Sequence, residues 1–597
     1  MRFNPSEYAI RQPVLTVYFL TLLLIAGIYA YQSLGQNEDP PFNFRIMSVR
    51  VFWPGADAMQ MVEQVGDRLE ATLQEVPYAD KIRSYAKPGE LTVLFELRDS
   101  TPPEEIADVW YTARKKLNDM WHRMPDGVQG PYVNDEFGDV FGIIYAVRAD
   151  GYSWAEQDDF AEEIRQQLLR VPDVAKVEFF GRQSRQIYVE ISQNRMASLG
   201  IDMQQVVEEI NRQNAVRFAG TLNGPEDKIN IRVSGQFNAV QDLQTLPLRF
   251  ADRTFRLGDI AEVYEGYTFP PDPKVRFNGE DVIAIGISMS KGGDIIRLGE
   301  NLRSTISRIQ QSLPIGIELE NFQNQPKLVA DSVGEFIKTL IEALVIVLAV
   351  SFVILGVQGS FRHIDWRPGL VVALAIPTVL AGTFLVMAGG DVDLHKISLG
   401  ALIISLGLLV DDAIIIIEMT VRKLEEGEPR LHAATHAYRE TAFPMLTGTL
   451  ITATGFLPIG LARSPVGEYT FSIFAVTAST LLISWLVAVY FVPFLAYHLL
   501  REKVVEGDAP HDVYDTPVYR RVRHWVRKAV EHRWRTIGAT LLALVLGILG
   551  MQVVEKQFFP DSNRPELLVD LWLPEGTSFE NTYGIVERVE NRFLGEP

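Results

Sequence analysis

Residues 406–418 read LGLLVDDAIIIIE and place two adjacent aspartates, Asp411 and Asp412, between apolar stretches. A charged side chain at the centre of a membrane helix costs about 2.5–3.5 kcal/mol on insertion scales, while each Leu or Ile returns roughly 0.3–0.6 kcal/mol. The pair therefore cancels most of the apolar gain of its segment. Carboxylates kept at such a cost usually face the interior of a helix bundle, where they handle ions or protons.

Apolar runs long enough to cross a bilayer, which takes about 20 residues, recur along this chain of 597 residues. The first run lacks a small-residue cleavage site and is long for a signal peptide, so we interpret it as a retained anchor. A single apolar run of this length could be a buried core helix of a soluble protein, but so many runs in one chain are not explained in that way. The sequence predicts seven membrane helices, near 14–32, 336–357, 370–388, 397–418, 441–462, 471–497 and 536–553.

Composition and motifs exclude several classes of function. The formal charge of −19 argues against nucleic acid as a partner, because phosphate binding needs a basic face. The absence of cysteine excludes disulfides, thiolate metal sites and a cysteine nucleophile. His432 and His436 have i,i+4 spacing, but no acidic residue completes a metalloprotease motif. With no P-loop and no G-x-S-x-G motif either, the sequence predicts a transporter without a cofactor or metal, not an enzyme.

The charges that flank the spans predict how the chain is oriented, because cytoplasmic loops are rich in Lys and Arg. Arg2 and Arg11 precede the first span, whereas Glu38 and Asp39 follow it. This places the N-terminus inside and residues 33–335 outside. The loops that alternation then places inside, 358–369, 419–440 and 498–535, carry the basic residues Arg362, Arg367, Arg422, Lys423, Arg430, Arg439, Arg520, Arg521, Arg523, Arg527, Lys528, Arg533 and Arg535. The predicted outside loops, 389–396 and 463–470, hold only Lys396 and Arg463.

The region outside the membrane alternates strand and helix patterns, which fits two β-α-β-β-α-β units of the ferredoxin-like type. Residues of about 215–270 interrupt the second unit and predict an inserted subdomain.

In the last inside loop, Val522, Trp525 and Val526 fall at helical spacing opposite an Arg-rich face, which predicts an amphipathic helix at the membrane surface. The predicted divisions are 1–32, 33–335, 336–497, 498–535, 536–553 and 554–597.

The chain contains an internal repeat. SVRVFWPGADAMQMVEQVGDRLE follows the first span and LVDLWLPEGTSFENTYGIVERVENRF follows the seventh, so that Pro54 aligns with Pro574. Both copies begin in the same orientation, which makes the repeat parallel, as in some transporters. The second copy stops at Pro597, within its first outside region. We therefore expect a truncated chain whose intact version is near twice the repeat length.

At this point the residues resemble a family, the resistance-nodulation-division exporters, and the resemblance covers essentially the whole chain. GLLVDDAIIIIE is similar to the family's fourth-helix motif, with Asp411 and Asp412 at the two proton-relay positions, and TGTLITATGFLPI at 447–459 is similar to its fifth-helix signature. The paired aspartates resemble the hydrophobe/amphiphile, multidrug branch more than the heavy-metal branch. SLGQNEDPPF, VNDEFGDVFGIIYA, DLHKISLGAL and AFPMLTGTLITATGFLPI are most similar to the subgroup of triclosan-type pumps.

The resemblance implies proton-driven antiport of small amphipathic compounds or drugs across the bacterial inner membrane. It also implies a homotrimer joined to a periplasmic adaptor protein and an outer-membrane channel. Residues 33–335 would be periplasmic porter subdomains with part of a docking domain. The family's relay Lys and Arg, and half of its substrate pocket, would lie beyond Pro597.

Three alternatives remain open at this stage. An intramembrane aspartyl protease also needs two membrane aspartates, but on different helices so that they face each other. Adjacent residues of one helix point about 100° apart, which counts against a protease. A member of the same family that assists lipid or protein export is the second alternative. The third is a nonfunctional fragment.

Overall fold

A computed structural model describes residues 4–595 of the chain except 137, 139, 215, 225–226, 236, 238, 251–252, 291, 357–364, 502–516, 555–566 and 575. The contacts divide the chain into two compact units. The first comprises Met1–Val140, Met289–Asn301 and Asn324–Leu567, and the second comprises Phe141–Ser288, Leu302–Gln323 and Leu568–Pro597.

The first unit begins with two helices and an α/β layer. Its elements are α1 (Pro5–Arg11), α2 (Pro13–Ser33), β1 (Ile46–Phe52), α3 (Ala58–Gln60), a π-helical turn (Met61–Gly66), α4 (Asp67–Gln74), β2 (Ala79–Lys87), β3 (Glu90–Leu97), α5 (Ile106–Met120) and β4 (Gln129–Asn134), with 3-10 turns at Pro103–Glu105 and Trp121–Arg123. The strands are antiparallel in the order β2-β3-β1-β4. This chain and sheet order is that of a β-α-β-β-α-β unit.

The core of this layer follows from the strand and helix periods. Val49 and Val51 of β1, and Val93 and Phe95 of β3, alternate with more exposed residues and are fully buried. They pack in one apolar cluster with helical residues that include Leu69 of α4. The sheet therefore buries one face against α4 and α5.

The second unit is also α/β. Its elements are β5 (Ile143–Ala149), α6 (Trp154–Leu168), β6 (Val174–Phe180), β7 (Arg185–Ile191), α7 (Gln193–Leu199), α8 (Met203–Gln213), β8 (Val216–Asn223), β9 (Lys228–Ser234), α9 (Val240–Gln244), β10 (Pro247–Phe250), β11 (Arg253–Arg256), α10 (Leu257–Ile260), β12 (Ala261–Tyr267), β13 (Val275–Phe277) and β14 (Glu280–Met289), followed by α11 (Ile295–Ser312) and β15 (Ile317–Asn324). Strands β13, β14, β5, β15 and β6 form its main sheet.

One strand of the second unit differs from the sequence expectation. The pattern at Arg185–Ile191 predicts a strand of the second β-α-β-β-α-β unit, before an insertion at about 215–270. In the structure β7 instead pairs along its whole length with β12, in a separate two-stranded sheet. Strand β7 is therefore not hydrogen-bonded into the main sheet of this unit. A strand pattern indicates extended structure, but it does not specify the partner strand.

The remaining helices are long. They are α12 (Gln325–Gly356), α13 (Trp366–Gly389), α14 (Lys396–Glu425), α15 (Arg430–Gly460), α16 (Pro465–Leu499), α17 (Pro517–Glu531), α18 (Arg533–Gly550) and α19 (Phe579–Leu594). Within the described residues, seven helices are long and apolar enough to cross a membrane, namely α2, α12 to α16 and α18. Each of them overlaps one of the seven predicted spans.

A bundle forms where α13, α14, α15 and α16 pack together around one apolar cluster. Helix α2 joins the bundle through α13 by a close approach of two backbones. A Cβ at Gly27 would lie 2.4 Å from the Cβ of Ala381, so the glycine is what permits the contact. Small residues commonly serve this purpose between membrane helices, where tight packing drives association.

Three expectations fall partly on residues that the structure does not describe. These are the inside loop at 358–369, the first part of the inside loop at 498–535, and the start of the second outside region at 554–597. In the described part of the second loop, the expected amphipathic helix is α17. Its apolar residues Trp525 and Val526 are 70% and 57% exposed.

Candidate functional site

The two aspartates lie near the middle of α14. The helix has 30 residues, or about 45 Å at 1.5 Å per residue, which exceeds the roughly 30 Å of a bilayer core. His395 caps its first turn, where Nδ1 accepts a hydrogen bond from the backbone N–H of Ser398. The aspartates are therefore held well inside a continuous helix, far from both of its ends.

Asp411 and Asp412 point to different surroundings. Asp412 is 8% exposed, whereas Asp411 is exposed on the surface of the bundle. The difference follows from the 100° turn between successive helical residues. Asp412 thus faces the packed interior between α14, α15 and α16, while Asp411 lies on a face that the described residues leave open.

Two hydroxyl groups, one from each neighbouring helix, hydrogen-bond the carboxyl group of Asp412. They belong to Thr449 of α15 and Ser484 of α16. The Ser484 hydroxyl also donates to the backbone oxygen of Leu409 at 2.7 Å, and the Thr449 hydroxyl donates to that of Met445 at 2.9 Å. Both side chains are buried, so their partners are fixed by the packing of the three helices.

This arrangement can accommodate Asp412 in either protonation state. A hydroxyl group has one proton and two acceptor lone pairs. While Ser484 and Thr449 donate to backbone oxygens, each can accept a hydrogen bond from a protonated carboxyl group. By rotating, the same hydroxyls can donate to an ionised carboxylate instead. The surroundings are therefore chemically suited to a group that gains and loses a proton.

The sequence offers no cation in the central part of any span within residues 336–553. The charge that acts on Asp412 is the like charge of Asp411. A structural ion pair between the helices of this bundle therefore does not explain why the aspartates are present. The sequence singled out both aspartates as candidates, but it gave no signal for Thr449 and Ser484, which resemble the ordinary small residues of apolar spans.

The two histidines noted in the sequence lie in the first two turns of α15. His432 contacts the carboxylate of Glu428 one turn earlier, and the ring centroids of His432 and His436 are 6.0 Å apart. Among the described residues, no group of three His, Cys, Asp or Glu side chains could hold a metal ion. Here the histidines form a local ion pair and ring contact.

Within the described residues, seven helices are long and apolar enough to cross a membrane, and one of them carries the two adjacent aspartates near its middle. The model of the AcrB/AcrD/AcrF family matches residues 5–597. The chain therefore belongs to this family, which is a family of resistance-nodulation-division permeases. It is also similar to an uncharacterized transporter from Haemophilus influenzae, with 28% identity over 506 residues. That match covers 84% of this chain and 48% of the relative, so the chain spans about half the length of the curated relative it matches.

Proposed function

We propose that this protein exports small amphipathic compounds from the inner membrane or the periplasm, driven by protons that move in the opposite direction. The observation that carries the proposal is the position of Asp412, buried near the middle of α14 and hydrogen-bonded to two hydroxyls on neighbouring helices. Membership of the family supports export as the direction of transport. The multidrug branch and the triclosan-type subgroup remain the substrate classes that the sequence motifs favour.

In the proposed mechanism, Asp411 and Asp412 form one titrating unit. Two interacting carboxylates release their protons in steps that belong to the pair rather than to either residue. Protonation removes a charge whose burial is costly, and it frees the pair from any cation that it holds. We propose that such a cation approaches Asp411 on the face of the bundle that the described residues leave open. The change in charge favours a different packing of the helices.

We further propose the assembly that the family implies, a homotrimer bound to a periplasmic adaptor and an outer-membrane channel. In this arrangement residues 33–335 are periplasmic, and α17 lies on the inner surface of the membrane. Charge asymmetry across the spans supports the topology, and the exposed apolar face of α17 supports its surface location. Co-purification of an adaptor with the tagged protein from native membranes tests the assembly.

The function is tested by efflux of ethidium under an imposed pH gradient, in cells with matched levels of the protein. Asp411→Asn and Asp412→Asn keep the size and shape of the side chain but cannot exchange a proton, so each should abolish efflux. Glu418→Gln is the matched control, because it neutralises an exposed carboxylate near the end of the same helix. Efflux at the wild-type rate in the Asp412→Asn variant would remove the basis of the proposed mechanism.

A further inference from the structure

A short segment between the first membrane helix and the α/β layer is fastened to the beginning of α14. We call residues 35–45 the strap. The backbone oxygen of Gly35 accepts a hydrogen bond from the N–H of Leu394 at 2.9 Å, and the N–H of Asn37 donates to the oxygen of Leu394 at 3.0 Å. Gln36 and Leu394 form a parallel β-bridge. The strap is therefore hydrogen-bonded, strand-like, to the residues that lead into α14.

A buried ion pair strengthens this attachment. Glu38 of the strap and Lys396, the first residue of α14, are 3.0 Å apart, and their side chains are only 8% and 14% exposed. The second carboxylate oxygen of Glu38 accepts a hydrogen bond from Gln325, the first residue of α12, at 3.4 Å. Removal of the Lys396 charge would leave the buried Glu38 carboxylate without this cation, which is costly.

The other half of the strap is attached to the first turn of α16. The Tyr469 hydroxyl donates to Asp39 at 2.8 Å, and the backbone N–H of Asn43 donates to Glu468 at 3.1 Å. The guanidinium group of Arg45 forms an ion pair with the same Glu468, and the Arg45 side chain is 4% exposed. Arg45 directly precedes β1, the central strand of the α/β layer.

The strap thus contacts two of the three helices that build the candidate site. Asp412 lies on α14 and its hydroxyl partner Ser484 lies on α16. Sixteen residues separate Lys396 from Asp412, or about 24 Å of continuous helix. Any displacement of α14 relative to α16 at the aspartates is carried by rigid helices to the two points where the strap is attached.

We propose that the strap couples the protonation state of Asp412 to the α/β layer, with Glu38–Lys396 and Arg45–Glu468 as its positioning residues. This proposal rests on the proposed function. Buried ion pairs contribute little net stability compared with apolar contacts of the same volume, but they fix geometry. Two of them on an 11-residue segment transmit a movement in a defined direction, because neither end can slide without separating buried charges.

The proposal is tested by a double-mutant cycle with a structural readout that needs no substrate. Hydrogen–deuterium exchange of β1 is compared between wild type and Asp412→Asn in the full protein in membranes, first with the native strap and then with Glu38→Gln and Lys396→Gln together. With the native strap, the Asp412 change should alter exchange of β1 amides by about two- to thirty-fold, the range expected for coupling between sites. With Glu38→Gln and Lys396→Gln together, a variant that we call the neutral strap, that difference should disappear.

Two further variants separate coupling from general damage. Lys423→Gln removes the same charge type at the opposite end of α14, where Lys423 pairs with Glu426 at 2.7 Å. It should leave the β1 response to Asp412→Asn intact. Exchange of the two charges, Glu38→Lys with Lys396→Glu, should restore the response that the neutral strap lost.

A response of β1 that persists undiminished with the neutral strap would overturn the proposal, as would the absence of any response with the native strap. The ethidium assay remains a separate test. If Asp412→Asn still exports ethidium, the proposed function fails, whatever β1 does. If Asp412→Asn abolishes export but the neutral strap leaves the β1 response unchanged, only the role of the strap fails.

Discussion

Glu38 and Asp412 are buried to the same degree, each 8% exposed, yet their surroundings are opposite. Glu38 is paired with Lys396 and hydrogen-bonded by Gln325. Asp412 has two hydroxyl partners and the like charge of Asp411 beside it. The ion pair of Glu38 fixes the geometry of the chain. The hydroxyls beside Asp412 can hydrogen-bond a carboxyl group in either protonation state.

The largest effect on stability should come from the ion pair of Glu38 and Lys396. Lys396→Gln removes one partner of the buried pair, and breaking such a pair costs about 3–5 kcal/mol. We expect the thermal midpoint of the purified protein to fall, and to recover in part when Glu38→Gln is added, because the second change removes the carboxylate that has lost this cation. A double variant that is less stable than wild type by the sum of the two single effects would show that the two residues do not interact.

A smaller effect is expected at the cap of α14, just outside the membrane span. Burial lowers the pKa of His395 to about 4. The unfolded state, with a pKa near 6.5, then binds the proton more strongly. Stability from this group is therefore present above about pH 6.5 and is lost as pH falls toward about 4, by roughly 2 kcal/mol at pH 5.

The variant His395→Asn tests this cap, because Asn is a good capping residue that does not titrate. The drop in thermal midpoint between pH 7 and pH 5 should be smaller in the variant than in wild type. An equal drop in both proteins would show that His395 does not contribute to acid sensitivity.

The hydroxyls around Asp412 should contribute less. Loss of one hydrogen bond to a buried carboxyl costs about 1.5 kcal/mol, or roughly tenfold in rate. We therefore expect Ser484→Ala and Thr449→Val each to slow ethidium efflux about tenfold at equal protein levels. Thr447→Val is the control, because Thr447 is exposed on the opposite side of the same helix. Equal slowing by Thr449→Val and Thr447→Val would indicate a general effect on α15.

The smallest functional effect is expected at α17, where location rather than activity is measured. A spin label at Val526 should be accessible to oxygen dissolved in the lipid, and one at Arg527 should be accessible to a water-soluble relaxation agent. The chain has no native cysteine to interfere. The reverse pattern, or water exposure at both positions, would exclude the membrane-surface location of this helix.

The sequence predicted the membrane helices better than their ends. The predicted span at 336–357 corresponds to α12, which begins at Gln325, and the span at 441–462 corresponds to α15, which begins at Arg430. Hydropathy detects only the apolar part of a helix, whereas each of these helices extends into polar sequence. Its start depends on capping and local contacts, which a hydropathy window does not register.

The sequence could indicate only those residues of the candidate site whose insertion into a membrane has a high free-energy cost. Two aspartates in an apolar span are conspicuous because of their insertion cost. Thr449 and Ser484 were not conspicuous, since a hydroxyl in a membrane helix can bond its own backbone at little cost. The sequence gave no indication of the strap for another reason. Glu38 and Lys396 are far apart in the chain, and their charges predicted topology without revealing that they form a pair.

The proposed function requires that Asp412 carries the proton that is exchanged for substrate. Its most direct test uses the purified protein in liposomes that contain a pH-sensitive dye, with ethidium transport and proton movement recorded together under an imposed pH gradient. Wild type and Glu418→Gln should move protons in proportion to ethidium, and Asp412→Asn should move neither. Proton movement coupled to ethidium in the Asp412→Asn variant, at the wild-type ratio, would show that Asp412 does not carry the exchanged proton.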